Sequence, residues 1–564
     1  MSDVVIALSI LFITGGVFVL LANRVGLPVV PALIVSGIVA GQFIDEEPLL
    51  DLAIWGIAFL VFVFGIRIDF GDVQMVLRDA EIAALTQLIV VAPVAFVVGF
   101  LASSYFGFNE PVRNGVYFAA AAALSSTLVG ASSLRGDEIR ENLVHGRLAS
   151  AIHFFDDMIA IAILLVLSAP VIADVDMVMT QLGYGLVFVV AGLLIYQHGY
   201  PLLIRVADGG SELVLMGSIS ILIGFIAAAE WAGISLVVGA FAAGLAIRKE
   251  GVETLAVRNG IASIRDFFVA IFFITMGALV TTPDVETLVF AGALIGLTLL
   301  VNPLIQIAAF SLEGYDPRTA FLASFSLNQV SELAIVIAIQ ALILTTIAEQ
   351  LFNAIILAAV ITMVLAAGTR RHEEWLYEKV AGKLVDRRRW HHLEAHSSVP
   401  DSLAGHVVVI GYGRIGRRIT AALNRLGVEY VVIENDPVLF RSLAADCRHY
   451  VFGDATGRHP REMAGYEDAS LIISTCDYGP LSNVLVETPT DGELILRSRS
   501  SINATEYLDR GADYVIVPNL LAGEQLTEII TAVVNNSTDV GLLKGQHLRE
   551  LRELQRSGMT SQFD

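Results

Sequence analysis

Residues 148–169 read LASAIHFFDDMIAIAILLVLSA, and the adjacent carboxylates Asp156 and Asp157 inside that apolar run decide how the rest of the chain is read. A helix of ~20 apolar residues crosses a bilayer. At 1.5 Å per residue the pair sits about 13 Å from the start of the segment, close to its middle. Charge at that depth costs at least ~2.5–3.5 kcal/mol, so an acid pair there points to a cavity or an ion pathway. Such a carboxylate can hold either a proton or a hard cation. Exclusive occupancy by one or the other, with access alternating between two sides, is sufficient for coupled exchange. Neighbours on a helix project about a hundred degrees apart, so one acid is expected to face the ion cavity and the other a neighbouring helix. His153, one turn earlier, reads as a packed neutral histidine.

The flanking sequence agrees with a membrane class. Of 564 residues, 55% are hydrophobic and only 16% charged, against ~25% in soluble domains. About thirteen candidate helices precede Arg370, beginning near Val4, Pro28, Leu52, Glu81, Gly115, Val144, Met179, Glu212, Ile234, Phe267, Thr287, Arg318 and Ile347. The second and ninth are short. Basic residues follow alternate helices: Arg24; Arg67 and Arg78; Arg135, Arg140 and Arg147; Arg205; Arg248, Lys249, Arg258 and Arg265; Arg318; Arg370 and Arg371. Because such residues collect on the cytoplasmic side, the N-terminus is expected outside, the C-terminus inside, and the chain in the plasma membrane in contact with lipid. Arg113 is the exception to the alternation.

Two segments interrupt their helices with polar residues, LSSTLVG at 124–130 and SLNQVSE at 326–332, in the fifth and twelfth helices. Transporters built from repeats break corresponding helices at the substrate site, where backbone dipoles and hydroxyls replace lost water. Ser126, Thr127, Gln329 and Glu332 are therefore candidates for the shell around the ion.

With GIAFLVFVFGIRIDF, AAALSSTLVG, HFFDDMIAIAIL, VGAFAAGLAI, FFVAIFFITMGALV and SLNQVSELAIVI in this order, the chain resembles the Kef-type branch of the cation:proton antiporter-2 family along essentially its whole length. The resemblance implies an inverted-repeat antiporter fold with crossed discontinuous helices and a homodimer in which a core domain moves against a dimerisation domain. It also implies Asp157 as the carrier that binds Na+ or K+ and the proton in competition, with Asp156 as the position that varies. An Asp pair favours Na+ over K+ within that resemblance. Electrogenic members pair the first Asp with a membrane lysine, whereas here Lys occurs only at 249, 379, 383 and 544.

Residues 1–369 thus read as an exchanger domain, 370–404 as a linker helix, 405–520 as a Rossmann-like α/β domain and 521–564 as a helical tail. Strands are expected at VVVI (407–410), YVVI (430–433), LIIS (471–474), LIL (494–496) and YVIV (514–517). HVVVIGYGRIGRRI places Gly411, Gly413, Arg414, Ile415 and Gly416 between a strand and a helix, where a diphosphate meets backbone amides at a helix N-terminus. Glu434, ending the next strand, is placed to take ribose hydroxyls; Asp454, Ala455 and Thr456 form a third loop, and Arg497 follows a later strand. This half resembles the TrkA-N or potassium-conductance-regulator type, which implies NAD(H), AMP or ATP as regulatory ligand. The acid at Glu434 argues for an unphosphorylated ribose.

The net charge of −21 leaves no basic face for nucleic acid. Cys447 and Cys476, the only cysteines, offer neither a disulfide framework nor a structural metal site. A dehydrogenase would need a substrate domain after Asp513, and none fits. A nucleotide-gated cation channel is the competing transport reading, although no selectivity loop of the TVGYG kind occurs.

Overall fold

The computed structural model describes residues 2–44, 46–67, 85–125, 144–167, 175–207, 210–247, 255–313, 315, 317–377, 379, 397–399, 404–535, 544 and 548. The chain divides into two compact units, Met1–Glu313 with Thr319–Ala381, and Gly314–Arg318 with Gly382–Asp564.

The first unit is built from α1 (Ser2–Val25), α2 (Val29–Ala40), α3 (Glu46–Arg67), α4 (Ala92–Tyr105), α5 (Pro111–Ala123), α6 (Val144–Leu167), α7 (Val175–Leu194), α8 (Tyr200–Ala207), α9 (Ser211–Trp231), α10 (Leu236–Leu245), α11 (Leu255–Ala278), α12 (Val285–Gly296), α13 (Asn302–Leu312), α14 (Pro317–Ser326), α15 (Glu332–Ile343), α16 (Glu349–Arg371) and α17 (Glu373–Leu376). Among the described residues seven helical stretches are long and apolar enough to cross a membrane. Shorter apolar helices, including Val29–Phe43 and Leu236–Leu245, are packed among them; these match the two segments read as short. The stretch expected from Glu81 is described only from residue 85. Arg78, Arg135, Arg140, Arg248 and Lys249 lie outside the described residues, as does most of the linker expected at 370–404.

Glycine sets the closest helix approach. At the crossing of α2 and α11, a Cβ on Gly37 would collide with the Ile274 carbonyl and one on Gly277 with the Ile34 carbonyl, so the two backbones touch only because neither position carries a side chain.

Two helices are broken where their sequence turns polar. After α5 the backbone becomes extended at Leu124, and Ser125 forms an antiparallel bridge with Val330 in the gap between α14 and α15. The Ser331 amide donates to the Leu124 carbonyl at 3.2 Å, and the Ser331 hydroxyl accepts from the Leu333 amide at 3.1 Å, capping α15. The extended pieces therefore satisfy each other where helical bonding stops.

Three further irregularities were not expected from sequence: π-helical turns at Gln87–Val91, Ile195–Gly199 and Leu297–Val301. Each precedes a proline in the next helix, at Pro93, Pro201 and Pro303. Proline lacks the amide that would continue the α pattern, so the turn before it widens.

The second unit holds a six-stranded parallel sheet in the order β3-β2-β1-β4-β5-β6, with β1 (Val407–Ile410), β2 (Tyr430–Glu434), β3 (Tyr450–Phe452), β4 (Leu471–Ser474), β5 (Glu493–Arg497) and β6 (Tyr514–Ile516). Between and after them run α18 (Arg414–Leu426), α19 (Pro437–Asp446), α20 (Arg458–Met463), α21 (Gly479–Glu487), α22 (Ser501–Asp509) and α23 (Pro518–Val534). β1 is apolar and buried throughout, and β2 is buried along its length with Glu434 as its one charged residue, as a sheet covered on both faces requires. Five of these strands carry the sequence patterns read above; β3 has three residues and left no run to recognise. Strand order reverses between β1 and β4, which opens the crevice where such sheets bind ligands.

Candidate functional site

The first candidate site is the junction of the broken helices. Asp156 on α6 is 2% exposed, and its Oδ2 accepts from the Ser125 amide at 3.1 Å and the Ser125 hydroxyl at 2.5 Å. A third donor, Gln87 Nε2, lies at 3.4 Å and also donates to the Ala123 carbonyl. Gln87 is held in turn by Gln306, whose Nε2 donates to Gln87 Oε1 at 2.7 Å. Ser125 Oγ lies 3.2 Å from His153 Nδ1. On the far side of the bridge, the Val330 amide donates to Thr362 Oγ1 at 3.1 Å. The carboxylate thus takes its three bonds from two segments, the break at Ser125 and the π-helical turn that begins at Gln87.

All three bonds end on Oδ2, and Asp156 lines a cavity of about 410 Å³ together with Leu88, Pro93, Phe96, Ala120 and Ile159. Among the described residues no other ionisable side chain lines it. The two acids therefore part as a helix requires: Asp156 is buried against the break, and Asp157 is half-buried on the next face.

Gln329 and Glu332 are both buried at the second break, at 0% and 1% exposure, with Glu332 opening α15 where the helix dipole is positive. Ser126 and Thr127 lie outside the described residues. Ser125, Gln87, Gln306 and Thr362 were missed from sequence. A signal for two of them exists: QLIVVAP at 87–93 and LTLLVNP at 297–303 are both apolar runs closing on proline, with a lone glutamine at Gln87 and another at Gln306.

The second unit has its own candidate site at the β1–α18 turn. Gly411 has φ +94°, and a Cβ there would approach Thr475 Oγ1 at 2.5 Å and Cys476 Sγ at 2.9 Å. At Gly416 a Cβ would collide with the Gly411 carbonyl. Gly413, which precedes Arg414 and Ile415 at the start of α18, faces open space, with nothing within 4 Å of an added Cβ. The first and third glycines therefore pack the turn, and the second leaves the backbone open to an approaching diphosphate.

Glu434 ends β2 with both oxygens engaged: Oε2 accepts from the Tyr412 amide at 2.6 Å, and Oε1 from the amides of Asn435 at 2.8 Å and Asp436 at 2.9 Å. A carboxylate has about four acceptor positions, so room for a ribose hydroxyl remains. Burial, reinforced by the Asp436 charge, pushes the Glu434 carboxyl up despite these amides. In the third loop Asp454 Oδ1 accepts from the Thr456 amide at 2.9 Å and hydroxyl at 2.8 Å. Arg461 clamps that loop by donating to the Ala455 and Thr456 carbonyls at 2.8 Å. Arg497 donates to the Thr475 carbonyl at 3.1 Å from the next strand. These groups fit a nucleotide: open amides for phosphate and an acid for ribose.

Residues 7–371 match the family model described as "Sodium/hydrogen exchanger, transmembrane", and residues 407–518 match the TrkA-N domain. Among curated proteins the chain is similar to one named as a K+ efflux antiporter, KefB, of Alkalimonas amylolytica, with 26% identity over 94% of this chain and 81% of that protein. It is likewise similar to one named as a cation/proton antiporter, YbaL, of Escherichia coli K12, with 23% identity over 94% and 97%. Among solved structures, the sodium proton antiporter MjNhaP1 of Methanocaldococcus jannaschii at pH 8 aligns over 65% of this chain and 99% of its own, at 15% identity and a TM-score of 0.48.

Proposed function

Because this chain belongs to the transmembrane sodium/hydrogen exchanger family and carries a TrkA-N domain, we propose that it exchanges a monovalent cation for protons at the Asp156–Asp157 pair under the control of a nucleotide bound at Gly411–Gly416. It is a secondary transporter and not an enzyme.

One observation carries the site: a buried carboxylate fixed by Ser125 at the point where two broken helices bridge. In this reading Asp157 is the carrier. Proton and cation compete for it, while Asp156, pinned through Oδ2, keeps the breaks and α6 together as access alternates. Gln329 and Glu332 supply the shell from the second break. The absence of Lys from the helices leaves the charge of the pair to be balanced by dipoles and by the bound ion itself. The Asp pair supports Na+ as the favoured ion, whereas the name of the relative KefB points to K+. The protein acts as a homodimer in the plasma membrane with its N-terminus outside and its TrkA-N domain cytoplasmic. NAD(H), AMP or ATP occupies the cleft, with the ribose on Glu434 and the diphosphate over Gly413.

The test is proton movement in vesicles after separate Na+ and K+ additions, with membrane voltage controlled. Cation-driven proton movement that disappears in Asp157→Ala, with nucleotide binding retained, is the expected result. Cation flux without proton coupling would move the protein to the channel class.

A further inference from the structure

Thr298, Asn302 and Gln306 stand four residues apart and so share one face of the helix running through the π-turn at Leu297–Val301 into α13. Their exposures are 2%, 1% and 0%. Each also keeps an oxygen, Thr298 Oγ1, Asn302 Oδ1 and Gln306 Oε1, that has no hydrogen-bond partner among the described residues. Leu294 and Phe310, the next residues along that face, are fully buried and apolar, so the polar row is closed at both ends. Three buried acceptors without donors are costly at ~1–3 kcal/mol each, and groups of this kind are met by bound water or an ion.

The chemistry of the row selects between the two. Thr298, Asn302 and Gln306 are all neutral, so the row brings no carboxylate to balance a cation's charge, whereas each of its oxygens can accept from a water.

We propose that Thr298, Asn302 and Gln306 hold a closed file of ordered water that orients a neutral hydrogen-bond chain onto Asp156. A water donating to Gln306 Oε1 fixes that amide with its Nε2 towards Gln87 Oε1, 2.7 Å away. This fixes Gln87 with its Nε2 towards Asp156 Oδ2. Gln87 Nε2 then shares its two hydrogens between the Ala123 carbonyl at 2.5 Å and Asp156 Oδ2 at 3.4 Å, so the amide dipoles of the chain run towards the carboxylate and supply positive potential where no lysine stands. Asn302 and Gln306 are thus positioning residues for the ion site. The water file stands on these side chains alone; its effect on transport rests on the exchange reading.

The experiment is hydroxyl-radical footprinting of the full-length protein by short-pulse radiolysis, in which bound water generates the radical in place. Leu297 and Pro303, beside the row, should be oxidised at least about fivefold faster than Val238 and Leu245, which are buried to a similar degree in the all-apolar α10. Asn302→Leu should bring that oxidation down to the control rate and raise the cation KM about tenfold with kcat largely kept, and Asn302→Thr, which restores an oxygen, should recover both. Thr298→Val removes one hydroxyl at nearly constant shape and gives the same reading if Asn302→Leu does not fold. Control-level oxidation in the unmodified protein, or oxidation that both Asn302→Leu and Thr298→Val leave unchanged, overturns the file. A normal footprint in a protein without cation/proton exchange would instead overturn the transport reading and leave the water in place.

Discussion

Ser125 donates twice to one oxygen of Asp156, from its backbone amide at 3.1 Å and from its hydroxyl at 2.5 Å. The amide is available because Leu124 and Ser125 have left the helix, so the helix break and the fixing of the carboxylate are one event. Removing the hydroxyl tests its share. Ser125→Ala keeps the amide bond but removes a hydrogen bond to a charged group worth ~1.5–3 kcal/mol, and by loosening Asp156 against the break it should raise the KM for the driving cation. The KM for the driving cation in vesicles measures this; an unchanged KM would mean that the amide alone holds Asp156.

Asp156 and Asp157 should separate in their mutants. Asp157→Asn is expected to abolish exchange, because no carboxylate is then left on the half-buried face to take the ion. Asp156→Asn should leave a slow, cation-dependent proton movement, since an amide oxygen still accepts from Ser125. Equal loss in both variants, measured at matched protein amounts in vesicles, would assign the ion to the pair as a unit.

How far the sequence reaches is visible at these same residues. The acid pair, the two polar interruptions and the glycine turn could all be read because each breaks an otherwise regular pattern. The interruption read at 124–130 contains the break at Ser125, but Ser125 was not singled out within it, because spacing locates an interruption without showing which hydroxyl meets the carboxylate. Gln87 and Gln306 escaped for another reason: an isolated glutamine in an apolar run carries no periodic signal, and its meaning comes from a partner 219 positions away. Strand β3 was lost to its brevity, whereas the neighbouring Glu434 was legible because a fixed interval links it to the glycine turn.

The three glycines of that turn should fail in different ways. Gly411→Ala places a methyl group against Thr475 and Cys476 at φ +94°, and should destabilise the TrkA-N domain by roughly 1–3 kcal/mol. Gly413→Asp meets open space and should leave the melting temperature nearly unchanged, while its charge repels a diphosphate and lowers nucleotide affinity at least tenfold. Thermal unfolding and calorimetry on the full chain separate the two effects. Unchanged affinity in Gly413→Asp would remove the nucleotide from this turn.

Cys476 offers a chemical check on the same cleft. Burial, followed by the charge of Glu434, pushes its thiol up to about 12, and burial likewise raises Cys447. Since the thiolate is the reactive species, neither cysteine should be alkylated by iodoacetamide at pH 7 in the native protein, and both should react once it is unfolded. Intact-mass measurement reads the count directly, and rapid native labelling at Cys476 would show that the cleft is more open than its packing implies.

Nucleotide affinity should also depend on pH, with a sign that follows from Glu434. Burial and the Asp436 charge raise its pKa in the folded domain. An acid raised on folding binds its proton more tightly in the native state, so its ionisation opposes folding, and the nucleotide-free domain should lose stability as pH rises from the unfolded pKa through the folded one. Ribose binding has the opposite preference, because the ionised carboxylate is the better acceptor for a sugar hydroxyl. The nucleotide should therefore bind tightest above the raised pKa, and its Kd should climb as the pH falls through it. Asp436→Asn removes the neighbouring charge and should move the weakening to lower pH. Calorimetric titrations on both proteins, run upward from the ordinary carboxyl range, check this, and a pH dependence of Kd that Asp436→Asn leaves unmoved would show that Glu434 does not receive the ribose.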